Sequence, residues 1–206
     1  MPKRARSLVV GLLAAGFIAG CDQGTEPNSA LSPAGARALA VMIDNTTTGA
    51  VDSQAESEAQ LSLSPSDGAT MDVLSGTHSF ELEVPCPLAG EAAVGGDLTF
   101  EAGEGSFQMD VSASANYLEC EFTTNEDVEV ALDGSLSFEA ERRLDQDGVY
   151  GLNVHTGSLD FSTSEGESGT CEIDLTTELA AGNGSATRSI SGSVCGHEVT
   201  ANSEWS

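Results

Sequence analysis

Apolar and polar residues alternate over most of the chain from residue 59 onward, beginning at Leu61 and Leu63. A period of about two residues is typical of a β-strand with one buried and one solvated face. Because only one face is apolar, we expect antiparallel pairing and not a parallel sheet that is buried on both faces. The apolar positions form these groups: Phe80, Leu82, Val84 and Cys86; Leu98 and Phe100; Phe107, Met109, Val111, Ala113 and Ala115; Val128, Val130, Leu132, Leu136 and Phe138; Tyr150, Leu152 and Val154; Leu159 and Phe161, in a shifted phase; Cys171, Ile173, Leu175 and Leu179; Ile190 and Val194.

The segments between these groups are rich in glycine, asparagine and aspartate, at 102–105, 145–148, 166–169 and 182–184. These residues tolerate the positive φ angles of tight hairpin turns. No long helical pattern separates the strands, so the crossovers that a parallel sheet needs are not expected. The sequence therefore predicts an all-β fold, an antiparallel up-and-down meander of long strands that is either barrel-like or a sandwich.

A short motif, Gly-x-Leu-x-Phe, recurs at 96–100, 134–138 and 157–161. One interpretation is an old internal duplication. The other is that glycines inside strands mark bends or bulges that curl a sheet. The sequence does not separate the two interpretations, and neither one implies a function.

The first 21 residues carry the most specific motif in the chain. A basic start with Lys3, Arg4 and Arg6 precedes an apolar run that is too short to cross a bilayer. The run ends in Ile-Ala-Gly-Cys, with the cysteine at Cys21, which resembles the lipobox of bacterial lipoproteins. The resemblance implies a signal peptide that is removed before Cys21 and acyl chains, such as palmitate, on that cysteine. It also implies a bacterial cell-envelope protein, anchored in a membrane by lipid and facing the periplasm or exterior.

Between the anchor and the strands the chain is polar, with one apolar segment. Residues 22–34 read as a flexible tether. Residues 34–43 predict a short helix, since Pro33 suits a first helical position, although β-branched residues there would also suit a strand. Residues 44–58 are expected to be irregular. The predicted organisation is a signal peptide at 1–20, a lipid-anchored tether with a short helix and an irregular segment at 21–58, and a β-rich domain at 59–206.

The chain is strongly acidic, with a formal net charge of −26. After residue 20 it has no lysine, and its only basic side chains besides histidine are Arg37, Arg142, Arg143 and Arg188. Nucleic acid is not an expected partner, because phosphate binding needs a basic surface. Membrane contact is expected through the lipid alone, because anionic headgroups repel an acidic domain. The acidity itself has two interpretations, a surface for Ca²⁺ or a cationic partner, or a solubilising surface.

Four cysteines remain once Cys21 is assigned to lipid, and an even number in an exported chain predicts two disulfides. Cys171 and Cys195 are equidistant from Asn183 in a predicted turn, so we expect a Cys171–Cys195 bond across that hairpin and a second bond, Cys86–Cys120. In this register Ile190 and Val194 would point away from Ile173 and Leu175, because a one-residue slip reverses faces. A β-bulge beside Cys195 is therefore expected.

No catalytic motif or cofactor fingerprint is present in the sequence. His78, His155 and His197 are the only side chains that ordinarily titrate near neutral pH. Asp145-x-Asp147-Gly148 is similar to the start of a calcium loop but lacks the later ligands, and a hairpin turn explains the same residues. We therefore expect a non-enzymatic binding or structural role without a cofactor. The alternatives are a carrier of small hydrophobic ligands, of the up-and-down barrel type, and a calcium-binding surface module that uses Asp145 and Asp147.

Overall fold

The alternating segments form long antiparallel strands in a computed structural model of the chain, which describes residues 31–62, 74–103, 105–182 and 184–205. These residues make one helix, α1 (Pro33–Ser62), followed by eight strands. The strands are β1 (Leu74–Pro85), β2 (Ala89–Gly103), β3 (Ser106–Thr123), β4 (Glu129–Asp145), β5 (Gly148–Thr163), β6 (Ser168–Gly182), β7 (Ser185–Val194) and β8 (His197–Trp205).

Each strand pairs with the next one in sequence, so the sheet order is β1 to β8 without a crossover. All seven pairings are antiparallel. In the described residues β1 and β8 do not pair with each other, so the sheet is open. The prediction of an all-β antiparallel meander of long strands is confirmed.

The helix differs from the prediction. It begins as expected, with Pro33 in the first turn and the Ser32 hydroxyl accepting a hydrogen bond from the Gly35 amide at 3.0 Å. It then continues through residues 44–58, which were predicted to be irregular, and includes Leu61, which was predicted to start the strands. The prediction followed local propensity, which is weak for threonine, asparagine and glycine, whereas packing against the sheet stabilises these turns.

The helix packs against the sheet and runs past residue 59, where the alternating pattern places the start of the β-rich domain. It contacts β1, β2 and β3 at one end of the meander and β7 and β8 at the other. Strands lie about 4.8 Å apart and a helix is about 10 Å wide, so one helix reaches both ends only if the sheet curls around it. Ala36, Leu39, Ile43 and Val51 are fully buried there.

Glycines inside three strands explain the curl. Gly134, Gly157 and Gly192 have φ angles of 127°, 143° and 141°, which side chains rarely adopt. They therefore act as bends in β4, β5 and β7. Of the two interpretations of the glycine motif, the positive φ angles at two of its positions, Gly134 and Gly157, favour bending.

Both predicted disulfides are present, with Cα–Cα distances of 5.4 Å for Cys86–Cys120 and 4.3 Å for Cys171–Cys195. The predicted bulge beside Cys195 is wrong. Gly182 pairs with Ser185, which centres the hairpin one half-residue later than assumed, and the register then runs unbroken to Ile173 and Val194. That register places Ile173 and Val194 on the same face without a bulge. Cys195 instead occupies the tight turn before β8, with a φ of 51°.

The lipobox and Cys21 lie outside the described residues, as does Leu63. Among the residues that are described, no helix combines the length and the apolar character needed to cross a membrane.

Candidate functional site

Strand β5 presents polar side chains to the interior. In β5 the predicted apolar face, Tyr150, Leu152 and Val154, points outward, and Tyr150 is 41% exposed. Asn153 and His155 point inward in phase with Leu159 and Phe161 and are almost fully buried. The strand therefore has no phase shift, and its inner face passes from apolar to polar residues. This inversion creates a polar site beneath α1.

Seven side chains form this site, which we call the interior polar cluster. Three lie on one face of α1, and four lie on the inner face of β4, β5 and β7. The helix spacing of three and four residues places the first three on the same side of α1. The members are Asp44, Thr47, Thr48, Arg142, Asn153, His155 and Arg188.

An ion pair joins the helix to β7. The Asp44 carboxylate is fully buried and pairs through Oδ2 with Arg188 Nη2. Arg188 also donates through Nη1 to Asn45 Oδ1 at 2.8 Å. A buried carboxylate without a cation would cost several kcal/mol, so Arg188 makes the buried position of Asp44 possible. Burial lowers the pKa of Arg188 below its ordinary value.

Asn153 connects the helix with β4. Its side-chain amide donates to Thr48 Oγ1 at 2.8 Å and to Asp44 Oδ1 at 3.2 Å. Its carbonyl oxygen accepts a hydrogen bond from Arg142 Nη1 at 2.6 Å. Asn153 therefore places the Arg142 guanidinium beside the helix, where Arg142 Nε lies 3.7 Å from Asp52 Oδ1. Burial lowers the pKa of Arg142, and the charge of Asp52 opposes that shift.

A glycine makes room for Arg142 on the inner face of the sheet. Gly151 pairs with Arg142 across β4 and β5. A Cβ atom on Gly151 would lie 3.1 Å from Arg142 Nη1 and 3.2 Å from its Cδ. The arginine side chain therefore crosses β5 over a position that has no side chain.

His155 is held as a neutral ring. Its Nε2 lies 2.7 Å from Thr47 Oγ1, and Thr47 Oγ1 donates to the Ile43 carbonyl at 3.0 Å. The Thr47 hydroxyl and His155 Nε2 share one hydrogen bond, and the ring tautomer decides which of the two donates. The ring stacks on Phe138 with centroids 4.9 Å apart, and burial lowers the pKa of His155 to about 4. The imidazole is thus uncharged at neutral pH.

The cluster faces the helix and not a cleft. The Asp44 carboxylate pairs directly with the Arg188 guanidinium. It is connected to the Arg142 guanidinium through the side chain of Asn153. Within the described part of the chain, His155 Nδ1, Thr177 Oγ1 and Arg188 Nε are buried without a protein hydrogen-bond partner. Because the charged groups are directed at each other, the arrangement serves to fix the position of α1 on the sheet.

A second feature lies on the flank of the helix. A groove of about 570 Å³ runs between α1 and the corner formed by the end of β1, the β1–β2 turn and the end of β3. We call it the flank groove. Its walls are mainly apolar, with polar groups at the ends, and include Arg37, Val41, Met42, Val84, Leu88 and Phe122.

The predicted calcium residues lie in the turn between β4 and β5. Asp145 Oδ1 accepts hydrogen bonds from the amides of Asp147 and Gly148 at 2.8 and 3.3 Å. This is an Asx turn, which explains the motif by backbone geometry. Among the described residues no group of three or more His, Cys, Asp or Glu side chains is placed to hold a metal ion. Calcium binding stays a prediction.

The remaining histidines are not brought to the interior polar cluster. His78 lies exposed on the edge strand β1, where it stacks on Phe100 with centroids 5.7 Å apart. His197 begins β8 and pairs with Val194. The structure therefore separates the three histidines, and only His155 joins other buried polar groups.

The sequence interpretation missed the interior polar cluster, although a signal was available. Arg142 continues the inward phase of Leu136, Phe138 and Ala140, and Arg188 continues that of Ile190. In a chain with so few cations, two arginines in phase with apolar residues indicate a buried carboxylate elsewhere. The position of that carboxylate on α1 could not be read, because the helix itself was predicted to end before it.

No protein-family model, curated protein or solved structure matches this chain.

Proposed function

We propose that this protein is a lipid-anchored protein of the bacterial cell envelope with a non-enzymatic binding or structural role. The anchor is the lipobox cysteine, Cys21. The domain that follows is acidic and lacks lysine, so it has no electrostatic attraction of its own for an anionic membrane. Acyl chains provide about 0.8 kcal/mol for each buried methylene group, and two or more chains anchor stably.

The observation that carries the non-enzymatic role is the burial of the interior polar cluster. Asp44, Asn153 and His155 have almost no exposed surface, and their polar atoms are directed at α1 and the sheet. A general acid or base must reach its substrate and titrate near the working pH. His155 does neither, since burial lowers its pKa to about 4.

Labelling with palmitate tests the anchor. The full chain is expressed in a bacterium that processes lipoproteins, in the presence of labelled palmitate. We expect the label on the wild-type protein and its recovery with membranes. Cys21→Ser should lose both, while the double variant Cys86→Ser/Cys120→Ser, which removes two cysteines elsewhere in the chain, should keep the label. Label on Cys21→Ser, or none on the wild type, would contradict the proposal.

A carrier of small hydrophobic ligands is the second candidate, and the flank groove favours it. The interior of the curled sheet is occupied by α1, so the ligand site of this candidate lies beside the helix. The groove volume of about 570 Å³ falls within the range of ordinary small-molecule sites, which is roughly 300–1,000 Å³. A photoactivatable apolar probe tests the candidate, since it should crosslink to Val41 or Met42 on the helix wall.

A further inference from the structure

The helix wall of the flank groove has a fixed order of chemical groups. Arg37, Val41 and Asn45 recur every four residues, so they lie along one stripe of α1 that borders the groove. The rise of about 1.5 Å per residue places about 12 Å between the two ends of this stripe. A cation therefore stands at one end, an apolar surface follows, and an amide stands at the other end.

The opposite wall is held in place by covalent and backbone bonds. Val84 near the end of β1 lies two residues before Cys86, Phe122 in β3 lies two residues after Cys120, and the disulfide joins the chain after β1 to β3. The amide of Leu88 also donates to the Glu121 carbonyl at 3.0 Å. A wall fixed in this way loses little conformational entropy when a ligand binds.

The groove differs in charge from the rest of the protein. The chain has 33 acidic residues, yet the described residues that line the groove include no Asp or Glu. Arg37 is exposed at its border and forms no ion pair with a described carboxylate, whereas Arg142, Arg143 and Arg188 each pair with one. Among the described residues that line the groove, Arg37 is therefore the only one with a charged side chain.

We propose that the flank groove binds a single-chain amphiphile with an anionic head, a carboxylate or phosphate. The apolar chain lies along Val41 and Met42, and the Arg37 guanidinium holds the head by charge-assisted hydrogen bonds. Arginine suits both heads because its planar fork donates two parallel bonds. This inference rests on the carrier function proposed above and names its ligand class.

Photocrosslinking of the mature, lipidated protein in phosphatidylcholine vesicles tests the ligand class. Two probes with a diazirine in the same chain are compared, palmitic acid and hexadecanol. We expect the acid to label the α1 peptide that contains Val41 and Met42. Arg37→Gln should weaken labelling by the acid about tenfold, the effect of losing a hydrogen-bonded charge partner. Labelling by the alcohol should be weak and unchanged.

Arg143→Gln is the matched control, since it removes the same charge from an exposed position that does not line the groove. It should leave labelling by the acid at the wild-type level. Equal labelling by acid and alcohol, or wild-type labelling of Arg37→Gln, would overturn the anionic ligand but leave the carrier function. No labelling of the groove by either probe would overturn both. The lipid anchor is measured separately by incorporation of palmitate on Cys21.

Discussion

The buried carboxylate of Asp44 on α1 is paired with the guanidinium of Arg188 on β7. The pair joins the helix that precedes the sheet to the next-to-last strand. It therefore links two parts of the chain that lie far apart in sequence, so its loss reports on the packing of α1 against the sheet.

Removal of both partners should cost less than the two single removals added together. We expect Asp44→Asn and Arg188→Met each to lower the free energy of unfolding by about 3 kcal/mol, because the remaining charge is left buried or half-buried. Asp44→Asn/Arg188→Met should cost clearly less than the sum of the single changes. Urea unfolding of the four proteins measures this coupling. Strictly additive losses would show that the pair contributes nothing as a unit.

Acid should destabilise the protein through His155. Burial lowers its pKa from 6.5 to about 4, so between these values the unfolded chain binds the extra proton and the folded chain does not. The free energy of unfolding should thus fall as pH falls through this window, by about 3 kcal/mol from this group. Unfolding of the wild type and of His155→Gln at several pH values isolates the contribution of His155 to the free energy of unfolding. Parallel pH profiles of the two proteins would argue against it.

Two glycine substitutions should have opposite effects. Gly49 lies exposed on α1, and a Cβ there meets nothing within 4 Å, so Gly49→Ala should stabilise by about 0.5–1 kcal/mol. Gly192 has a φ of +141°, and its Cβ would lie 2.0 Å from the Asp174 carbonyl oxygen. Gly192→Ala should destabilise by at least about 2 kcal/mol. Thermal midpoints measure both, and a neutral Gly192→Ala would contradict the bend in β7.

The two disulfides should contribute similar stability but differ in their effect on the flank groove. They close loops with sequence separations of 34 and 24 residues, so each should contribute about 3–4 kcal/mol. Cys86→Ser/Cys120→Ser should also weaken photolabelling of α1, because it frees the groove wall. Cys171→Ser/Cys195→Ser is the control with comparable stability loss. Equal labelling of α1 in the two variants would show that the Cys86–Cys120 bond does not hold the groove wall in place.

Local sequence was sufficient where one pattern repeats without interruption. In β3 and β4 the inward positions are those of the apolar residues, from Met109 to Ala115 and from Val130 to Phe138. In β5 the same rule failed, because Tyr150, Leu152 and Val154 face solvent while Asn153 and His155 are buried. The rule assumes that the interior is apolar, and here it is polar where α1 supplies partners.

The sequence by itself determined the antiparallel meander, its hairpins and the pairing of the cysteines. These features depend on the alternation of apolar and polar residues, on the turn residues and on the positions of the cysteines relative to the turns. Only the tertiary structure decided the length of α1, its place inside the curled sheet and the interior polar cluster. The physical reason is that Asp44 and Thr47 are poor helix formers and poor core residues by themselves. Their burial within a helix is stable because Arg188 pairs with Asp44 and His155 hydrogen-bonds with Thr47, and both partners come from distant strands.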